Sequence, residues 1–125
     1  MHLLLDTHTL IWWLVNNPNL SNTARDKISD PDKIVFVSAA SAWEIAIKKS
    51  LGKLQAPDDL KQQIEKQKFT PLAINIDHAL TIEKLPYHHK DPFDRILIAQ
   101  AIHEGLTIVS RDRIFNTYNV AIIKS

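Results

Sequence analysis

Apolar and polar positions follow two rhythms along this chain. Largely apolar runs at residues 2–5, 34–37, 72–76, 106–109 and 120–123 are short and bounded by polar or turn-forming residues. Runs of that length, rich in Leu, Ile and Val, read as strands buried on both faces. Segments with helical periodicity separate them. Residues 7–15 form an apolar helix stopped by Asn16-Asn17-Pro18, and Ser21 caps a polar helix reaching Ser29. Ser38 or Ser41 opens a helix to Leu51, with Gly52 as its terminator. Pro57-Asp58-Asp59 starts another, which places Leu60, Ile64 and Phe69 on one face. Asp77 caps a helix ending near Leu85, and Asp91-Pro92 begins one reaching His103, just ahead of Gly105. Strands apolar on both faces and separated by helices build a parallel sheet covered on both sides. The predicted fold class is α/β.

Composition removes several chemistries. A chain of 125 residues suits one domain, 1–125, with one core. Fifteen Lys and Arg against fourteen Asp and Glu leave a net charge of +1, which gives no support to a polycationic nucleic-acid binder. The absence of cysteine excludes a disulfide framework, a thiol nucleophile and thiolate-held zinc or iron–sulfur. Two glycines leave no Gly-rich phosphate loop. No apolar run approaches the roughly 20 residues of a membrane-spanning helix. The start of the chain has no basic leader, because Asp6 follows directly on three leucines. A soluble cytoplasmic domain without membrane contact is expected.

Four acids stand at the ends of predicted elements. Asp6 ends the first strand, Glu44 lies in the helix after the second, Asp94 lies in the first turn of the helix opened by Asp91-Pro92, and Asp112 follows the fourth strand. In parallel α/β sheets, chemistry gathers outside the carboxyl ends of the strands. Each acid also has a structural role open to it. Asp6 can cap the next helix, Ser41-Ala-Trp-Glu44 fits a capping box, Asp91 and Asp94 suit a helix start, and Asp112 can finish a turn. Clustered together, the four would repel one another unless a cation neutralised them. Oxygen ligands without His or Cys suit Mg²⁺ or Mn²⁺. Such ions serve phosphodiester hydrolysis by activating water and stabilising the leaving oxygen.

The stretches LLLDTHTLIWWL, VSAASAWEIAIKKSLGKL, LPYHHKDPFDRILIAQA and LTIVSRDRIF together resemble the PIN-domain family, in particular the VapC-type ribonuclease toxins of type II toxin–antitoxin systems. The resemblance runs nearly end to end. It implies a three-layer α/β/α fold around a mainly parallel sheet of about five short strands. It also implies an acidic pocket that binds Mg²⁺ or Mn²⁺ and cuts single-stranded RNA. The family's four acids match Asp6, Glu44, Asp94 and Asp112, with Asp6 and Asp94 as the main metal ligands. A cognate antitoxin and a homodimer are further implications. Ser110 stands where many relatives carry Thr, and Thr7 and Ser110 are expected to steady neighbouring carboxylates or water.

The remaining chemistry-bearing residues carry competing readings. His88 and His89 precede Asp91 in a polar loop, as solvated surface or as contacts to phosphate or water. His8 is expected to pack on its helix. Lys48, Lys49, Lys53, Arg95, Arg111 and Arg113 are expected as a basic fringe through which phosphate approaches the acids, with an ordinary solvated helix face as the alternative, above all for the lysines. Trp12 and Trp13 are adjacent and cannot share one narrow stripe, whereas Trp43 is expected in the core. A catalytically silent binding module is the alternative to the nuclease, although it has no use for four such acids. A haloacid dehalogenase-like hydrolase is disfavoured, because the first strand is followed by Asp6-Thr7-His8 and not by a D-x-D motif.

Overall fold

The apolar runs assemble as five parallel strands. The computed structural model describes all residues, Met1–Ser125. Its strands are β1 (Leu3–Leu5), β2 (Val35–Ser38), β3 (Thr70–Leu72), β4 (Thr107–Ser110) and β5 (Ile122–Lys124). Its helices are α1 (Thr7–Leu14), α2 (Asn22–Ser29), α3 (Ala39–Ser50), α4 (Leu60–Lys66), α5 (Ile76–Thr81) and α6 (Pro92–Glu104). Two 3-10 turns, Ile82–Lys84 and Arg113–Thr117, complete the chain. The sheet order is β3-β2-β1-β4-β5, and every pairing is parallel.

The central strand shows why its sequence is apolar without alternation. Leu3 and Leu5 face one core, with Leu10 and Ile11 of α1, Ala24 and Ile28 of α2, and Ile64 of α4. Leu4 faces the other, with Ile96, Leu97, Ile98 and Ala101 of α6 and Phe115 of the second 3-10 turn. All three leucines are fully buried. At about 1.5–3 kcal/mol each for complete burial, a polar residue at any of them would open one helical layer. The α/β/α layering predicted from the pattern is present.

The strand order also fixes where a site can form. The chain steps outward from β1 through β2 to β3, then returns to lay β4 on the opposite side of β1. Leu5 pairs with Val109, so the carboxyl ends of β1 and β4 lie side by side. Loops leaving them diverge to opposite faces and open a crevice at this reversal point.

Local expectations needed several corrections. The third strand is Thr70–Leu72, not 72–76, because its partners are Phe36, Val37 and Ser38. Pro71 lacks a donor and is accommodated because β3 is an edge strand. Asn75, not Asp77, caps α5, accepting from the His78 backbone N–H while the His78 ring accepts from the Asn75 N–H. Helix α4 ends at Lys66, and Phe69 reaches the core only after a left-handed residue at Lys68. Gly105 meets the helix-ending expectation, with φ of 68° that a β-carbon would disfavour. Trp43 is 58% exposed and packs edge-on against Phe93, because it lies on the face of α3 turned away from Ile45.

Candidate active site

Each predicted acid reaches the crevice through its own element. Asp6 leaves β1 in extended conformation and caps α1, its Oδ1 accepting from the Thr9 N–H at 2.9 Å. Its other oxygen accepts from the Ser110 hydroxyl of β4 at 2.5 Å. Asp112 caps the 3-10 turn after β4 through the Ile114 N–H, while its own N–H donates to Ser110 Oγ. Helix α6 opens on Asp91, whose Oδ1 accepts from the backbone of Phe93 and Asp94. The first turn thereby aims Asp94 at the same space.

Glu44 arrives differently. Ser38 caps α3, so Ser41 lies inside the helix and Ser41–Glu44 does not form a capping box. One carboxylate oxygen of the buried Glu44 accepts from the Thr7 hydroxyl at 2.6 Å, and the other pairs with Lys48 one turn on at 2.5 Å. Thr7 and Ser110, the two hydroxyls expected to steady carboxylates, both do so.

Asp6, Glu44, Asp91, Asp94 and Asp112 line one cavity of about 380 Å³, with Thr7, His8, Trp12, Lys48, Arg111 and Ser125 completing its wall. Five carboxylates therefore face it, Asp91 with the four predicted from the sequence. Two side-chain cations, Lys48 and Arg111, accompany them. A larger cavity of about 570 Å³ between α3, α4 and β3 is lined by Val37, Leu60, Ile64 and Leu72 and lacks this chemistry.

The electrostatic signature is strongest at Asp94. Burial and the charges of Asp91, Asp6, Glu44 and Asp112 push its carboxyl up to about 7. Burial also raises Asp6, against the hydrogen bonds from Ser110 and Thr9 that favour its ionised form. Acids that share one cavity and raise one another's proton affinity invite a cation. The donors are all oxygens, the set a hard divalent ion prefers. No three His, Asp or Glu groups are drawn together into a ready-made ligand cluster, so side-chain adjustment must accompany any metal binding.

The predicted basic fringe divides. Arg111 lies over the Trp12 ring at 4.7 Å and donates to the carbonyls of Asn19 and Ser125. Lys48 faces the acids, and its pairing with Glu44 raises its proton affinity. Lys49 instead pairs with Asp58. Arg95 is 5% exposed and belongs to no fringe, because it holds the loop before α6 from inside. His8 stacks edge-on with Trp12, and His89 reaches Asp94 Oδ2 at 3.4 Å. Tyr118, on the far side of His89, went unnoticed in the sequence, since an isolated tyrosine in a loop gives no periodic or motif signal.

Comparison with known proteins agrees with this architecture. The PIN domain family matches residues 3–120. Ribonuclease VapC22 of Mycobacterium tuberculosis is 30% identical over 118 residues, covering 88% of this chain and 86% of the relative. The crystal structure of VapBC2 from Rickettsia felis bound to a promoter DNA fragment superposes with a TM-score of 0.75 at 12% identity, covering 100% and 99% of the two chains. VapBC-5 of Mycobacterium tuberculosis, a member of the VapBC family of toxin–antitoxin systems, gives 0.61 at 20% identity over 98% and 97%. No helix is long and apolar enough to cross a membrane. With the family match spanning nearly the whole sequence and the fold shared end to end, the chain belongs to the PIN domain family, in its VapC-type branch.

Proposed function

We propose that this protein is a metal-dependent endoribonuclease, the toxin of a toxin–antitoxin pair, and that the five-carboxylate crevice is its active site. The observation that carries the reading is Asp94. Burial, joined by the charges of four other acids, holds its carboxyl near neutrality, which a helix start alone does not do. The likeness to a protein named a ribonuclease supports the same activity.

Asp6 and Asp94 would hold Mg²⁺ or Mn²⁺, with Glu44 and Asp112 completing the wall. When bound, the ion supplies activation of water and neutralisation of charge on the phosphodiester oxygens. Thr7 and Ser110 lock Glu44 and Asp6 in orientation, so fewer rotamers have to be fixed when the cation arrives. Asp94 is partly protonated near neutral pH, so its carboxyl would have to give up that proton to serve as a ligand. Lys48 and Arg111 give an RNA phosphate a favourable approach to an otherwise anionic crevice. Single-stranded RNA is the fitting substrate, because its backbone can bend into a narrow pocket. An antitoxin protein and a second copy of the chain are the partners this reading carries.

The test is cleavage of a mixed-sequence single-stranded RNA by purified protein with Mg²⁺ or Mn²⁺. Asp6→Asn keeps the Oδ1 cap and the fold but should lower cleavage by at least about a hundredfold, the range expected for losing a metal ligand or its orientation. EDTA should abolish wild-type cleavage. Full, EDTA-sensitive cleavage by Asp6→Asn would overturn the assignment of Asp6, and EDTA-resistant cleavage by the wild type would overturn the metal dependence.

A further inference from the structure

Beside the crevice, a buried arginine lacks an acidic partner. Arg95 Nη1 donates to the Pro86 carbonyl at 2.9 Å and to the Tyr118 hydroxyl at 3.1 Å, and Nη2 donates to the Ile82 carbonyl at 3.3 Å. The Tyr87 ring lies 4.5 Å from its guanidinium carbon. Each of these partners is neutral. A buried cation with only neutral partners is costly to maintain, so a benefit beyond stability is worth seeking.

That benefit lies in the direction it imposes on a hydrogen-bond chain. Tyr118 is 5% exposed, and its hydroxyl has two partners, Arg95 and His89 Nδ1 at 2.8 Å. Guanidinium only donates. The hydroxyl oxygen therefore accepts from Arg95, and its proton has one acceptor in reach, His89 Nδ1. A neutral imidazole that accepts at Nδ1 carries its hydrogen on Nε2. His89 Nε2 is the atom that faces Asp94 Oδ2 at 3.4 Å. The Tyr118 ring also meets His88 and His89 edge-on, at centroid distances of 4.9 Å and 5.5 Å, which restrains the loop.

We propose that Arg95 and Tyr118 fix His89 in its Nε2–H tautomer, making His89 a positioning residue that donates to Asp94 Oδ2 and leaves Asp94 Oδ1 for the cation. This deepens the metal-site reading and rests on it. Asp94 Oδ1 has no hydrogen-bond partner of its own, consistent with an oxygen kept for the crevice. An outer hydrogen-bond partner of this kind orients a ligand and tunes its basicity.

The experiment uses the full chain, free of metal and RNA. Protein labelled at histidine with ¹⁵N is examined by NMR near pH 8.5, above the ordinary imidazole range of about 6.5. The wild type should show His89 as Nε2–H, and Tyr118→Phe should show a tautomer mixture. Calorimetric titration with Mn²⁺ alone should show about tenfold weaker binding in Tyr118→Phe. Should Tyr118→Phe fail to fold, His89→Gln and His89→Asn decide the matter. Gln carries an N–H near the position of Nε2 and should preserve Mn²⁺ affinity within about threefold, whereas Asn places its donor near Nδ1 and should lose about tenfold. An Nδ1–H tautomer in the wild type, or equal Mn²⁺ affinity in Gln and Asn variants, overturns the inference while leaving the metal site standing. Absence of Mn²⁺ binding by the wild type overturns both. Absence of RNA cleavage with these results intact overturns only the ribonuclease reading.

Discussion

Replacing Asp94 by Asn should make the metal-free protein more stable, and by an amount that depends on pH. Folding raises this carboxyl from an ordinary 3.8 to about 7, through burial first and then the charges of Asp91, Asp6, Glu44 and Asp112. Between those two values the folded protein holds a proton that the unfolded chain has released, so stability falls as pH rises through the window. Above about 7 the loss is complete. At about 1.4 kcal/mol per pH unit it amounts to about 4 kcal/mol. The side chain is 22% exposed, so water screens part of the repulsion and about 2 kcal/mol is a fairer expectation. Asn cannot ionise and escapes the penalty.

Urea unfolding followed by tryptophan fluorescence, in EDTA, measures the difference. At pH 8 the variant should be more stable by about 2 kcal/mol, or about 8 °C in Tm for a domain of this size. At about pH 4.5 the advantage should shrink to about a quarter, because the folded wild type then holds its proton and only the unfolded chain has begun to release it. Saturating Mn²⁺ should stabilise the wild type more than the variant and narrow the gap. An Asn variant no more stable than wild type at pH 8 would refute the argument. So would an advantage of equal size at both pH values, since that would come from packing and not from charge.

Three further outcomes follow from the same geometry. Lys48→Met leaves the buried Glu44 without its cation, so metal-free stability at pH 8 should fall by about 1 kcal/mol. Mn²⁺ binding by calorimetry should tighten by about threefold, since Lys48 no longer competes for Glu44 Oε2 and a positive charge has left the crevice. Ser110→Ala removes the donor that favours ionised Asp6, so Asp6 should hold its proton more strongly. The pH at which Mn²⁺ affinity is half-maximal should then move upward, and an unmoved profile would show that this hydrogen bond does not tune the site. Phe115→Ala empties a fully buried position within the 3-10 turn that Asp112 caps. A loss of about 3–5 kcal/mol in urea titration is expected, with little change in the slope of the transition.

Legibility in the sequence followed the range of the interactions. Leu3–Leu5, Val35–Ser38 and Thr107–Ser110 were visible because strands buried on two faces need apolar residues at successive positions. Gly105 and Asp91-Pro92 marked the ends of α6 because backbone geometry admits few residues there. The edge strand β3 was misplaced because Thr70, Pro71 and Leu72 are held by pairing with β2, not by burial of their side chains. The four acids were legible as element ends, and the family resemblance supplied their common purpose. Thr7 and Ser110 were expected to steady neighbouring carboxylates, but which acid each one joins was not legible. Ser110 bonds Asp6 across 104 positions, and Thr7 bonds Glu44 across 37. The linkage of buried Arg95 and Tyr118 to the half-buried His89 was invisible, because charge composition places arginine at the surface and nothing in the sequence says which carbonyls will surround it.

The capping and catalytic readings of these acids were posed as rivals, yet the structure lets one residue serve both. Asp6, Asp91 and Asp112 each commit Oδ1 to the backbone of the element they open. The second oxygens of Asp91 and Asp112 have no hydrogen-bond partner, and that of Asp6 meets only the Ser110 hydroxyl. A cap fixes the side-chain torsions of its residue, so the remaining oxygen has little freedom in where it points. The local chemistry of starting a helix at the carboxyl edge of a parallel sheet thus turns the second oxygens of these acids toward one crevice, which reduces the adjustment that holding a cation would require. This bears on how the site must be probed. Substitution by Ala removes the cap and the charge together and would confuse loss of a helix start, about 1 kcal/mol, with loss of a ligand. Asn keeps an accepting Oδ1 and removes only the charge, so the Asn series separates the two roles that the fold has placed on one side chain.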